Sequence, residues 1–342
     1  MTTVHAKAPL RLGLAGGGTD VAPYSDIYGG QVLNATINLF THCHLETIDG
    51  PTVFRAADFD QTSTLRTSAD EHGGPSLVLH QAVYRSIADR YLGGRAPGLR
   101  ITTYSDAPPG SGVGTSSALV VAMVQAYAEL LRLPLGEYDV AHLAYEIERI
   151  ECALAGGKQD QYAAAFGGFN FMEFGKDDRV VVNPLRLRRE LTNELESRLL
   201  LYFTGRSRSS ATIIESQVAS AQEVGSEALE AMHNIKAAAT AMKEALLRGR
   251  IGDVLDILGA SWTAKKKAAA AISNSQIDAI ADATMEAGAR GLKISGAGGG
   301  GFMMIAVDVP QRHRVMKALE PFGGRLYSFG FVEEGVQSWR TS

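Results

Sequence analysis

The sequence predicts an α+β fold in two closely packed domains, with a boundary near residue 190 that separates segment 1–190 from segment 191–342. Three observations carry this expectation. At 342 residues the chain exceeds one ordinary compact unit, so two domains are the natural arrangement. The first half is rich in β-forming stretches and Gly-rich turns. The second half runs strand, long helices, Gly-rich segment, strand, helix and strand, the order of a split βαβ unit.

Residues 31–48 (QVLNATINLFTHCHLETI) alternate and hold many β-formers, which predicts a strand or hairpin. Residues 99–105 read as a strand, and a Pro-Gly loop follows. From Ser116 to Leu131 the pattern is helical and apolar on almost every side, so that helix should be buried. A second helix is expected over 139–154, with Val140, Leu143, Ile147, Ile150 and Leu154 as its core stripe. Leu199 to Phe203 reads as a strand, and Ala-rich helices are expected over 226–249 and 251–271. A helix near 275–288, a Gly-rich segment, a strand at 302–307, a helix at 310–320 and a strand near 325–332 complete the order.

Hydrophobic content of 45% and charged content of 20% are those of a globular protein. A net charge of −4 gives no whole-chain electrostatic reason to bind nucleic acid or an anionic membrane. Lys265, Lys266 and Lys267 form the one tight basic run, and it reads as a solvated helix face. The two cysteines, Cys43 and Cys152, show no CxxC pair or zinc-ligand spacing, which suits a reducing compartment. No signal pattern opens the sequence, and no apolar run reaches the roughly 18 residues of a membrane span. A cytoplasmic protein is expected.

Chemistry concentrates at Pro108 to Ala118, PPGSGVGTSSA. Gly110, Gly112 and Gly114 free the backbone to curl, and Thr115, Ser116 and Ser117 follow at the mouth of the buried helix. Such a loop aims several N–H groups at one spot, and the helix dipole adds positive potential there. A triphosphate is the natural guest, with Pro109, Gly110, Ser111, Gly112, Val113, Gly114, Thr115, Ser116 and Ser117 as its cradle. Hydroxyls at this place can also hold magnesium, which prefers oxygen ligands. A tight turn capped by Ser or Thr is the plainer reading, and it explains only one or two of these residues. There is no Walker A pattern in the chain.

The loop resembles the central motif of the GHMP kinases. Ala8-Pro9-Leu10-Arg11 with Gly16-Gly17-Gly18-Thr19-Asp20 resembles their first motif, and Lys293-Ile294-Ser295-Gly296-Ala297-Gly298-Gly299-Gly300-Gly301 their third. The ordered triplet covers nearly the whole chain. It implies a ribosomal-protein-S5-like N-terminal domain, a ferredoxin-like C-terminal domain, ATP with Mg2+, and a third motif packed against the phosphate loop. Gly296, Gly298 and Gly301 also fit GxGxxG, but a helix is expected before them and a strand after, the wrong context for dinucleotide binding.

Asp160 lies in Gly156-Gly157-Lys158-Gln159-Asp160-Gln161. Phosphoryl transfer needs charge neutralised on the γ-phosphate and an oriented, partly deprotonated hydroxyl, and a carboxylate beside a cation meets the second need. The segment resembles the galactokinase motif with the catalytic aspartate, matching at Gly157, Asp160 and Gln161, and Arg11 falls where that family has a Lys or Arg beside it. For a metal ligand the resemblance implies Glu148 with Ser116. The apolar stripe favours Glu151, which stays in reserve.

Departures from galactokinases point to the acceptor. Gly17 and Gly18 replace an acidic residue and a histidine before Thr19-Asp20, which opens space while Asp20 remains to accept hydrogen bonds from hydroxyls. Lys158 stands where galactokinases are apolar, and Arg206 and Arg208 form an Arg/Ser cluster suited to a phosphate. Surface solvation is the plainer reading of those arginines. Together with GGGTDVAPY and GKQDQYAAAFGGFNF, these residues resemble the branch acting on D-glycero-D-manno-heptose 7-phosphate. That branch phosphorylates the anomeric C1 hydroxyl in nucleotide-heptose biosynthesis, toward lipopolysaccharide or capsule precursors. Fucokinases and a non-catalytic sugar sensor are the alternatives. Decarboxylase chemistry has no feature of its own. The expected partners are a sugar phosphate and ATP, with a homodimer left open.

Overall fold

Residues 2–65, 77–205, 210–221, 225–269 and 272–341 are described in the computed structural model. The β-branched and aromatic density of the first half forms an eight-stranded sheet. Its strands are β1 (Thr3–Ala15), β2 (Gly30–Thr47), β3 (Thr52–Ala56), β4 (Gln61–Leu65), β5 (Leu99–Ser105), β6 (Phe169–Phe174) and β7 (Val180–Pro184), with one more from the far end of the chain. The expected strand or hairpin at 31–48 is a single long strand. Its first half pairs with β6 and its second half with β5, while β1 runs antiparallel along most of its length.

The helices of this half are α1 (Tyr24–Tyr28), α2 (Val78–Tyr91), α3 (Thr115–Leu131), α4 (Glu137–Tyr145) and α5 (Gln159–Phe166). Val120, Val121, Ala122, Met123 and Val124 of α3 are all buried, as a helix apolar all round requires. The expected helix at 139–154 departs from its pattern. After α4 the chain makes one π turn, Glu146–Glu151, in which the Cys152 N–H donates to the Ile147 carbonyl at 3.0 Å. The added residue turns later side chains by about 100°. Val140, Leu143 and Ile147 are buried, but Ile150 is 61% and Leu154 40% exposed, so the core stripe ends at Ile147.

The second half contributes α6 (Arg189–Ser197), β8 (Leu199–Phe203), α7 (Ser210–Ala221), α8 (Glu227–Leu247), α9 (Ile251–Ala268), α10 (Ser275–Glu286), β9 (Ala289–Ile294), β10 (Phe302–Val307), α11 (Arg312–Leu319), β11 (Arg325–Tyr327) and β12 (Gln337–Thr341). Strands β11-β8-β10-β9 form an antiparallel sheet in ferredoxin-like order. Strand β9 was not expected: ARGLKI has two cations and little alternation, and it stands where a helix was read as leading straight into the glycines. Residue 190 falls in α6, just before β8, the first strand of the second sheet. Strand β12 pairs with β1, Thr3 opposite Thr341, and so completes the first sheet.

Ala239, Met242, Leu246, Val254, Leu255 and Leu258 of α8 and α9 belong to the same core as β1 and β2. The halves therefore share apolar contacts, and the clefts between them have fixed walls. Among the described residues, no helix is long and apolar enough to cross a membrane.

The π turn makes a testable distinction. Ile147→Ala should lower unfolding stability by about 2–5 kcal/mol, whereas Ile150→Ala should stay within about 0.5 kcal/mol. Equal losses in urea denaturation would mean that the helix continues in ordinary register.

Candidate active site

The loop between β5 and α3 curls because its glycines take left-handed backbone, with Gly112 at φ +78°. A Cβ on Gly112 would lie 2.5 Å from the Ser295 carbonyl oxygen, so only glycine permits the approach of the segment joining β9 to β10. The Phe302 N–H donates to the Ser111 carbonyl at 2.8 Å, which seals the two loops together. The glycine run at 296–301 does follow a strand, contrary to expectation. It leads into antiparallel β10 rather than a helix, so the dinucleotide reading still fails.

Arg11 enters this junction from β1. Its Nε donates to Asp160 Oδ1 at 2.7 Å and its Nη2 lies 2.7 Å from the same oxygen. Its Nη1 donates to the Gly112 carbonyl at 2.8 Å and to Ser295 Oγ at 3.2 Å. Asp160 sits in the first turn of α5, where the helix dipole favours an anion. One carboxylate oxygen is thus fixed by a rigid fork, and the other remains for a proton.

Behind the loop, Glu148 is fully buried inside the π turn. It accepts from Ser116 Oγ at 2.8 Å, Ser117 Oγ at 2.7 Å and Gln161 Nε2 at 2.7 Å, with Arg149 Nη1 at 3.5 Å. The reserve candidate, Glu151, faces the other way, accepting from Ser86 Oγ and Arg90 Nη2 at 3.0 Å each. The π turn explains the difference, since it rotates Glu151 off the stripe on which an α-register count placed it.

Asp20 is buried and accepts from the Gln159 N–H and Nε2, each at 3.0 Å, and from the Gly18 N–H at 3.1 Å. A Cβ on Gly157 would fall 1.9 Å from Asp20 Oδ2, which is why that position is bare. Burial raises the Asp20 carboxyl above its ordinary pKa; the Gln159 amide opposes this and Asp160 adds to it.

These groups surround a cavity of about 490 Å³. Of the residues singled out in the sequence, Arg11, Gly17, Gly18, Asp20, Gly110, Ser111, Gly112, Gly114, Thr115, Ser116 and Asp160 line it. Other expected residues stand elsewhere. Pro109, Val113 and Ser117 are not on its wall, and Glu148 reaches it only through Ser116. Thr19 is a buried brace, donating to the Gly16 carbonyl at 2.8 Å. Lys158 is corrected as a substrate contact: its Nζ donates to Asp178 Oδ1 at 2.5 Å and lies over the Tyr145 ring, away from the cavity wall. Arg206 and Arg208 lie outside the described residues.

Arg149, Gln159, Gln217, Lys265 and Lys293 line the cavity without having been singled out. For Lys265 the signal was present. Positions 251, 254, 258, 262 and 265 share the buried face of α9, so the basic run has one member turned inward. Four basic side chains against two acidic ones on the wall suit an anionic guest.

Comparison with known proteins agrees with this geometry. The model of the GHMP kinases N terminal domain matches residues 78–168, and that of the GHMP kinases C terminal matches residues 242–320. The chain is 45% identical to a D-glycero-alpha-D-manno-heptose 7-phosphate kinase of Campylobacter jejuni over 99% of this chain and 100% of that one. It is 44% identical to the crystal structure of a D-glycero-D-manno-heptose 1-phosphate kinase from Bacteriodes thetaiotaomicron, with a TM-score of 0.83 and 99% of both chains covered. An L-fucokinase/L-fucose-1-P guanylyltransferase of Bacteroides fragilis is 27% identical over 92% of this chain but only 36% of its own length.

The raised Asp20 pKa predicts a pH signature. A carboxyl whose folded pKa exceeds its unfolded value gives stability at low pH that is lost as pH rises through the folded pKa. Asp20→Asn should therefore gain on the wild type in urea denaturation as pH rises above the ordinary carboxylate range. A stability gap that does not change with pH would contradict the assignment.

Proposed function

The chain belongs to the GHMP kinase family, and we propose that it transfers the γ-phosphoryl group of ATP to the anomeric C1 hydroxyl of D-glycero-D-manno-heptose 7-phosphate. The product is heptose 1,7-bisphosphate, made in the cytoplasm for nucleotide-heptose biosynthesis. The full-length 45% identity to the Campylobacter jejuni heptose kinase carries the choice of acceptor.

The site supports the chemistry. The loop at the mouth of α3 receives the phosphates, because the first N–H groups of a helix have no partner within it. Asp20, Gly17 and Gly18 form the wall for sugar hydroxyls. Asp160 takes the proton of the C1 hydroxyl as that oxygen bonds to the γ-phosphorus and the bond to ADP breaks. Arg11 orients the carboxylate and brings positive charge to the transferred group. A magnesium ion would be held by Ser116, whose hydroxyl stands on the cavity wall, with Glu148, which accepts from that hydroxyl at 2.8 Å, as the acid behind it. Bound there, magnesium would neutralise charge on the phosphates.

Release of ADP should be measured with heptose 7-phosphate, free heptose, L-fucose and hexose phosphates, and the product phosphate located by NMR. Fastest turnover on heptose 7-phosphate with a new anomeric phosphate is expected. Preference for L-fucose would overturn the acceptor, and binding of both ligands without ADP release would identify a sensor. Asp160→Asn should reduce kcat by about 10²–10⁴-fold and leave nucleotide affinity nearly intact. Near-normal turnover in that variant would remove Asp160 from the base role.

A further inference from the structure

Lys265 is an unusual residue for the inner face of a helix. It is 2% exposed, follows Leu258 and Trp262 along the buried stripe of α9, and ends on the cavity wall. Its Nζ donates to the Gly296 carbonyl. An ammonium has three donors, and among the described residues no other acceptor and no carboxylate lies within bonding or ion-pair distance of this one. A buried cation in that state is costly unless an anion arrives to meet it.

The position of the ammonium indicates which anion. Gly296 lies against the phosphate loop, where a Cβ on it would sit 2.6 Å from the Gly112 carbonyl oxygen. Arg11 donates to that same carbonyl and to Ser295, the neighbour of Gly296. Arg11 and Lys265 therefore approach the tip of the loop from two sides, one from the first sheet and one from α9. A Cβ on Gly114 would lie 3.3 Å from the Asp160 carboxyl carbon, so the base stands at the same tip.

We propose that Lys265 is a second catalytic cation, which holds the γ-phosphoryl group of ATP opposite Arg11 and follows it during transfer to the acceptor. The proposal rests on the kinase reading above. As the acceptor oxygen bonds to phosphorus, its proton passes to Asp160 and the electron pair of the broken bond leaves with ADP. Lys265 stays protonated throughout, contributing charge and two free N–H donors to the equatorial oxygens.

Groups facing Lys265 are Arg11 from β1, Lys293 from β9, Asp20 from the loop after β1 and Asp160 from α5; Lys266 and Lys267 on its own helix are exposed. Burial, with Arg11 beside it, lowers the Lys265 ammonium to about 8, against the pull of Asp20 and Asp160. The charge is present below that pH and lost above it. Lys293, whose Nζ donates to the Leu14 carbonyl at 3.0 Å, is pushed well down by burial, by Lys265 and by Arg11.

The test joins three readouts on Lys265→Gln, Lys265→Met and Lys265→Arg. Lys265→Gln should lower kcat by about 10²–10³-fold. Calorimetry should show Lys265→Met weakening a non-hydrolysable ATP analogue by about tenfold or more while ADP stays within about twofold. Wild-type kcat/KM should fall as pH rises past about 8, and Lys265→Arg, charged to above about 12, should move that limb upward. Loss of ADP and analogue affinity alike, an alkaline limb unmoved in Lys265→Arg, or a rise confined to the acceptor KM would overturn the proposal. The calorimetric arm needs no acceptor, so it stands even if the wild type proves inactive on every sugar tried, the result that would defeat the kinase reading instead.

Discussion

The Arg11 guanidinium is where the two halves of the molecule and Asp160, the proposed base, are held in register. Two of its nitrogens grip one oxygen of Asp160, and the third spans the Gly112 carbonyl and Ser295. The fork is planar and its donors have fixed directions, so one group sets the loop, the base and the third glycine segment relative to one another. Arg11 is the buried partner of the pair, so removing Asp160 would leave its charge stranded in the protein. Arg11 is thus an organising residue beside its proposed chemical role, and its place depends on the bare backbones of Gly112 and Gly296, which let the loops meet.

A second hub supports the first from behind. Glu148 draws Ser116, Ser117 and Gln161 onto its two oxygens. That ties the first turn of α3 to α5, where Asp160 sits one residue before Gln161. The π turn is the device that makes this possible. Unwinding one helical turn at Glu146–Glu151 lets Glu148 face inward while Ile150 and Glu151 face out. An irregular helix in the middle of an apolar stripe is a cost that fits a positioned carboxylate better than a packing need.

Much of the fold could be read from the chain because period and apolarity agree. The strands at 99–105, 199–203 and 302–307 and the helix beginning at Thr115 appear where alternation or all-round apolarity put them. The three Gly-rich segments converge on one cavity, which their order implied and no single one of them could have shown. What was not legible has physical causes. A π turn leaves no pattern of its own, so Ile150 and Leu154 were read into a core they do not enter. Lys158 looked like a cavity residue by its place beside Asp160, but Asp178, twenty positions further on, draws its buried ammonium away from the cavity wall. Lys265 looked outward because two exposed lysines follow it, although the spacing from Trp262 put it on the buried face.

Strand β12 gives the architecture a temporal side. It forms the outer edge of the first sheet, bonded to β1 along Thr3–Lys7, yet it is made after every other described strand. Until then β1, the strand bearing Arg11, has an open flank, and N-terminal segments that emerge early lack their final neighbour. Joining two segments this far apart in sequence also places a long-range contact late in assembly, where loop closure slows the search. The junction that Arg11 forms with Asp160 and the Gly112 loop should therefore mature only after β12 has docked on β1.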